Sequence, residues 1–131
     1  MKVGVSMKKT LLGIAALLLL GGMVHIGLGI AQMIWVSGLV LDVLWFTSAG
    51  FALVYIAFIN YLVTTAGPTQ TRFFVIGHTT NILGCILLGL ILIKLPAPHV
   101  ALLFLLLVAE TGLMIRTHMQ VKKGSLTYTT V

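Results

Sequence analysis

The chain has 131 residues, of which 60% are hydrophobic and 8% charged, with a formal net charge of +6 and a mean hydropathy of +1.18. A water-soluble domain carries roughly a quarter of its residues as charges, so a core this small cannot hide so much Leu, Ile and Val, and the bilayer is the solvent the composition fits. Nucleic acid is not the expected partner despite the charge, because the Lys and Arg residues sit at the edges of apolar runs and form no extended basic face.

The first apolar run covers 10–34. Met7-Lys8-Lys9-Thr10 before Leu11–Leu20 has the look of a secretory signal peptide. No A-x-A-like site follows, however, and at about 24 residues the run is longer than a signal core and long enough to span a bilayer. An uncleaved first helix is expected, with Met7 as an alternative start. Ser37-Gly38 breaks this run, and a second follows over 43–63, closed by Ala66-Gly67-Pro68. The third covers 73–93 and stops at Pro96-Ala97-Pro98. The fourth run, 100–115, is the shortest and spans only as 100–117, with Arg116 and Thr117 included, or where the bilayer thins. Residues 118–131 are expected to form a short cytoplasmic tail, disordered from Gly124 onward.

These runs exceed the roughly 10 residues a membrane strand needs, and a helix satisfies its own backbone in lipid where a lone strand cannot. The expected fold is an all-α membrane protein of four transmembrane helices in an up-down-up-down bundle. Lys2, Lys8, Lys9, Arg72, Arg116, Lys122 and Lys123 then share one side and Lys94 takes the other. The positive-inside rule puts both termini in the cytoplasm, with Trp35, Asp42, Trp45 and His99 towards the outer interface.

Polar side chains at membrane depth need a partner or a wet cavity and are the best functional leads. Counting about 1.5 Å of rise per residue from the cytoplasmic side gives two layers. His25, Thr47 and Ser48 lie in the outer one; Asn60, His78, Asn81 and Glu110 lie in the inner one. A carboxylate beside an imidazole in a low-dielectric site would share a proton or form an ion pair, so Glu110 with His78 is a candidate proton relay or cation site. Simple interhelical hydrogen bonding is the alternative reading. No cofactor is expected: the two membrane histidines His25 and His78 differ in depth by about 14 Å, too far for shared axial ligation of a haem. No zinc-ligand spacing occurs. Cys85, the single cysteine, has no partner for a disulfide and reads as a small packing residue.

Gly21, His25 and Gly29 recur at every fourth residue of the first run, as do Gly77, Asn81, Cys85 and Gly89 of the third. Such stripes let helix backbones approach closely. The helix-packing glycines Gly21, Gly29, Gly77 and Gly89 are therefore expected to bring the first and third helices together, or to pair across a dimer.

His25 near the end of the first run, Leu44-Trp45-Phe46 opening the second, Gly50 and Asn60 within it, and Asn81 with Gly84 in the third resemble the layout of small four-helix inner-membrane proteins of bacteria. That resemblance implies an inner-membrane location and transfers no activity. Small multidrug transporters are similar in size and helix count, but their essential acidic residue lies in the first helix, where this chain has none. Dual-topology fluoride channels are of similar size too, but the one-sided charge here opposes dual insertion.

The leading expectation is a non-enzymatic helical membrane module, an accessory subunit or self-associating protein, whose partners are the lipid bilayer and either a second copy or another membrane protein. A small proton-linked transporter or channel using Glu110 and His78 comes second. A membrane enzyme acting on a lipid or quinone comes last, since no nucleophile–base pair is present.

Overall fold

A computed structural model describes residues 3–66 and 71–123, and every element among them is helical. Helix α1 is Val3–Gln32, followed by a π-helical turn Met33–Ser37; α2 is Leu41–Thr65, α3 is Thr71–Lys94 and α4 is Pro98–Lys122. All four are long and apolar enough to cross a membrane, and by length and composition the chain is suited to a multi-pass membrane protein. Ala66 closes α2, and the Gly67-Pro68 part of that breaker lies outside the described residues, as do Lys2 and the tail from Gly124.

The helices end where the sequence removes the means to continue. At the end of the π turn Gly38 takes φ 67° and ψ −161°, a backbone conformation that a residue with a Cβ enters at a cost. Leu95 and Ala97 close α3 through hydrogen bonds to Ile91 and Leu95 carbonyls. Pro98 then opens α4 at a position where its missing N–H is no loss.

Two expectations about length need correction. The fourth helix is as long as the second, 25 residues each, because Arg116, His118 and Gln120 interrupt the apolar run without breaking the helix. Residues 118–122, expected in a tail, are therefore part of α4. The first helix starts earlier than expected, at Val3.

Packing divides the molecule into two pairs. α1 lies chiefly against α2, and α3 chiefly against α4; α2–α3 and α1–α4 contacts join the pairs. The expected meeting of the first and third helices is replaced by these neighbours. At the α1–α2 interface a Cβ added to Gly22 would come within 2.7 Å of the Gly50 carbonyl oxygen, and one on Gly50 within 2.8 Å of the Gly22 carbonyl oxygen. The two backbones touch, a spacing that suits Cα–H···O contacts. Farther along, Gly29 is in contact with the Thr47 side chain. Gly21 instead faces Leu103 of α4, so Gly21 and Gly29 do not share a seam. Gly77 faces Met114 and Val63, and Gly89 faces Phe104. All four glycines named from the sequence thus meet other helices of their own chain.

Three threonine hydroxyls at membrane depth close onto their own helices. Thr47, Thr111 and Thr117 donate to the Val43, Leu107 and Leu113 carbonyls at 2.7, 2.7 and 2.8 Å. This satisfies a donor that lipid would leave bare. With its proton so used, Thr111 accepts from the Cys85 thiol at 3.8 Å, which ties Cys85 into α3–α4 packing.

Candidate functional site

Two apolar tiers fix the heights of α2, α3 and α4 relative to one another. In one, the Gly77 position is in contact with Val63 and Met114; in the other, the Gly84 position is in contact with Ile56 and Leu107. Leu11 of α1 joins the first tier and Leu18 the neighbourhood of the second. One residue of each helix sits a turn from both tiers: Asn60 between Ile56 and Val63, Asn81 between Gly77 and Gly84, and Glu110 between Leu107 and Met114. All three are 0% exposed. Ala15, also buried, holds the corresponding place between Leu11 and Leu18 of α1, so three helices supply polar groups here and the first supplies a methyl.

The polar atoms of this layer are poorly matched. Both Glu110 carboxyl oxygens, both amide atoms of Asn60 and the amide oxygen of Asn81 have no hydrogen-bond partner among the described residues. The Asn81 amide nitrogen donates only to the Met114 sulfur, at 3.9 Å, a weak acceptor at long range. Leaving a polar group bare in the interior costs about 1–3 kcal/mol, and a carboxyl group in hydrocarbon is more demanding still. Packing alone would be better served by leucine at these positions.

His78 is not joined to Glu110. Its Nε2 lies 3.0 Å from Nδ1 of His118 on α4, so the two rings share one proton between them. Phe74 stacks on His118 with ring centroids 4.6 Å apart and planes 9° from parallel. His118 lies a turn past Met114 on the side away from Glu110, and His78, the neighbour of Gly77, reaches it from the level of that tier. The expected inner layer therefore splits in two: Asn60, Asn81 and Glu110 together, and His78 a turn away with His118. His118 was missed because it follows Arg116, where the apolar run ends. Its spacing was the available signal, since Glu110, Met114 and His118 recur at every fourth residue of one helix face.

On the far side of the Ile56–Gly84–Leu107 tier, α2 and α3 part around a cleft of about 710 Å³. Leu53, Leu88 and Leu103, one turn beyond that tier, are among the residues lining it. Ala49 and Ala52 of α2 stand opposite Leu87, Leu90 and Ile91 of α3, and Asp42, His25, Lys94 and His99 add charged and polar groups. His25 stacks on Phe46 at 4.6 Å and has His99 at 5.6 Å. Because a carbonyl oxygen only accepts, the 3.0 Å contact of His25 Nδ1 with the Gly21 carbonyl places a proton on Nδ1. Of the expected outer layer, His25 and Ser48 line the cleft, while Thr47 is buried against Gly29.

Along the bundle the order is thus a polar-edged apolar cleft, one apolar tier, a sealed polar layer containing Glu110, and a second apolar tier from whose level His78 reaches His118 beyond it. No family model matches the chain, and it has no match among curated proteins or solved structures.

Proposed function

We propose that the chain is a small proton-linked membrane carrier in which Glu110 binds and releases the coupling proton. The observation that carries this reading is the Glu110 carboxyl itself: completely buried between three helices, with neither oxygen partnered among the described residues, one tier below an open cleft. An ionisable group at bilayer depth marks an ion or proton pathway by default, and here no local hydrogen bond gives it a structural purpose.

In the sealed arrangement Glu110 holds a proton and is uncharged. Parting of Ile56, Gly84 and Leu107 would wet the carboxyl from the cleft, and parting of Val63, Gly77 and Met114 would wet it from the histidine side, so the proton exchanges with one side at a time. The proton-sharing His78–His118 pair serves as the relay on that second side. Asn60 and Asn81 supply the neutral hydrogen-bonding groups that hold a carboxylate once water enters.

For the membrane setting we adopt an up-down-up-down bundle in a bacterial inner membrane, with both termini cytoplasmic. The contact pairs support the alternating sense, since Gly22–Gly50 and Gly29–Thr47 run oppositely along α1 and α2, as Gly77–Met114 and Gly84–Leu107 do along α3 and α4. The seven-to-one division of Lys and Arg supports the orientation. Under the accessory-module reading, the glycines named as interfaces would have to face outward, and they face helices of the same chain.

The first test needs no knowledge of the transported substrate. Infrared difference spectra of the full chain in lipid nanodiscs, recorded during a pH titration, should contain a carboxylic-acid carbonyl band that disappears reversibly on alkalinisation and is missing in Glu110→Gln. A chain whose only titrating carboxyl signal survives in Glu110→Gln would refute the proposal. In proteoliposomes, Glu110→Gln should abolish proton movement driven by substrate while leaving the fold intact.

A further inference from the structure

We propose that the cleft between α2 and α3 binds a zwitterionic phospholipid with a primary-amine headgroup, taken from the surrounding bilayer. The inference names the substrate class of the proposed carrier and rests on that reading for transport, but not for binding.

The cleft lies between two membrane-spanning helices and its deeper walls are Ala49, Ala52, Leu87, Leu90 and Ile91. Its volume of about 710 Å³ falls in the range of roughly 300–1,000 Å³ typical of small-molecule sites. Walls that are mostly hydrocarbon at that depth, with Ser48 and His25 the hydrogen-bonding side chains beside them, suit a hydrocarbon chain, and the bilayer supplies hydrocarbon chains at high concentration on the open side. Two alanines of α2 opposite the larger side chains of α3 create the width.

The headgroup follows from the charges. Lys94 from the end of α3 and Asp42 from the start of α2 both line the cleft, both are exposed, and no ion pair joins them among the described residues. A purely anionic lipid would satisfy Lys94 and oppose Asp42; a cationic amphiphile would do the reverse. A headgroup carrying both a phosphate and an ammonium matches both, with Lys94 and the adjacent His99 on the phosphate and Asp42 on the amine. A primary ammonium donates hydrogen bonds to a carboxylate, which a quaternary one does not. Trp45 and Phe46 stand at the same end, where aromatic rings favour the headgroup level.

The test is lipid binding by the full-length protein in mild detergent, read by native mass spectrometry with added phosphatidylethanolamine, phosphatidylcholine and phosphatidylglycerol. One phosphatidylethanolamine per chain is expected, bound about threefold to fivefold more tightly than the other two, the effect of one exposed charge pair. Asp42→Asn should erase the preference over phosphatidylglycerol, and Lys94→Gln should weaken all three lipids alike, since each carries the phosphate. Ala52→Trp, which fills the cleft, should abolish binding of all three. Equal binding of the three lipids, a preference unmoved by Asp42→Asn, or a cleft occupied by a second copy of the chain, seen as a lipid-free dimer that Ala52→Trp dissociates, would each overturn the proposal. Asp42 and Lys94 are exposed, so their variants fold even if Ala52→Trp does not. Glu110→Gln should bind the lipid as the wild type does, so a failed lipid site and a failed proton site give different results.

Discussion

The contact between Gly22 and Gly50 makes a sharp prediction for a single methyl group. An alanine at 22 would place its Cβ 2.7 Å from the Gly50 carbonyl oxygen and 3.0 Å from the Val54 nitrogen, whereas ordinary contact begins at 3.4 Å. Both atoms belong to backbone, so no rotamer relieves the clash and α1 must move off α2 by about 0.7 Å. Overpacking of this kind costs about 1–3 kcal/mol, and separation also weakens the Cα–H···O contacts. Against this stands the gain of about 0.5–1 kcal/mol from replacing glycine within a helix. Gly27 on the same helix supplies the control, since a Cβ there meets nothing within 4 Å and Gly27→Ala should show the gain alone. The gain is common to both, so the two variants should differ by the overpacking cost of about 1–3 kcal/mol, with Gly22→Ala the less stable. The measurement is reversible unfolding in mixed micelles, followed by energy transfer between dyes on α1 and α2. Equal stability of Gly22→Ala and Gly27→Ala would refute the backbone-contact account.

Other consequences are as direct. Leu107, fully buried against Gly84, should cost about 2 kcal/mol when cut to alanine, the low end of the range for buried leucines, because lipid is as apolar as the core and only the packing part is lost; the same micelle titration checks it. His118→Phe keeps a ring against Phe74 but removes the hydrogen bond to His78, for an expected loss of about 1 kcal/mol, and His118→Ala should lose more. With Cys85 replaced by alanine, a cysteine at Ser37 should react with an impermeant maleimide in intact cells, while one at Lys123 should react only after the membrane is opened; the opposite pattern would invert the orientation.

Helix number was legible in the sequence because hydrocarbon imposes length and continuity on any span, and Gly38 and Pro98 mark breaks that no neighbouring packing could mask. Helix ends were less legible: α4 continues through Arg116 to Lys122, since flanking polar residues remain good helix formers. That shift explains why the heights of the polar residues were misjudged. Measured from Arg116, Glu110 fell level with His78; measured between the tiers, it falls level with Asn60 and Asn81. The glycine pattern misled for a related reason. Spacing identifies a stripe on one helix, but not which helix covers it, and Gly22, which meets the backbone of α2, is one position away from the stripe of Gly21 and Gly29. The cleft had no local signal, being made by two alanines and several leucines that become neighbours only on folding.

The tight joint between α1 and α2 also bears on how the molecule is made. Both glycines that form it are synthesised within the first half of the chain, so the leading hairpin can zip shut while the ribosome is still translating. Asn60 is then already at bilayer depth, but the helices carrying Asn81 and Glu110 have not emerged. The nascent hairpin thus displays a lone amide to lipid until its second half arrives, which makes that interval the stage of biogenesis most dependent on the insertion machinery.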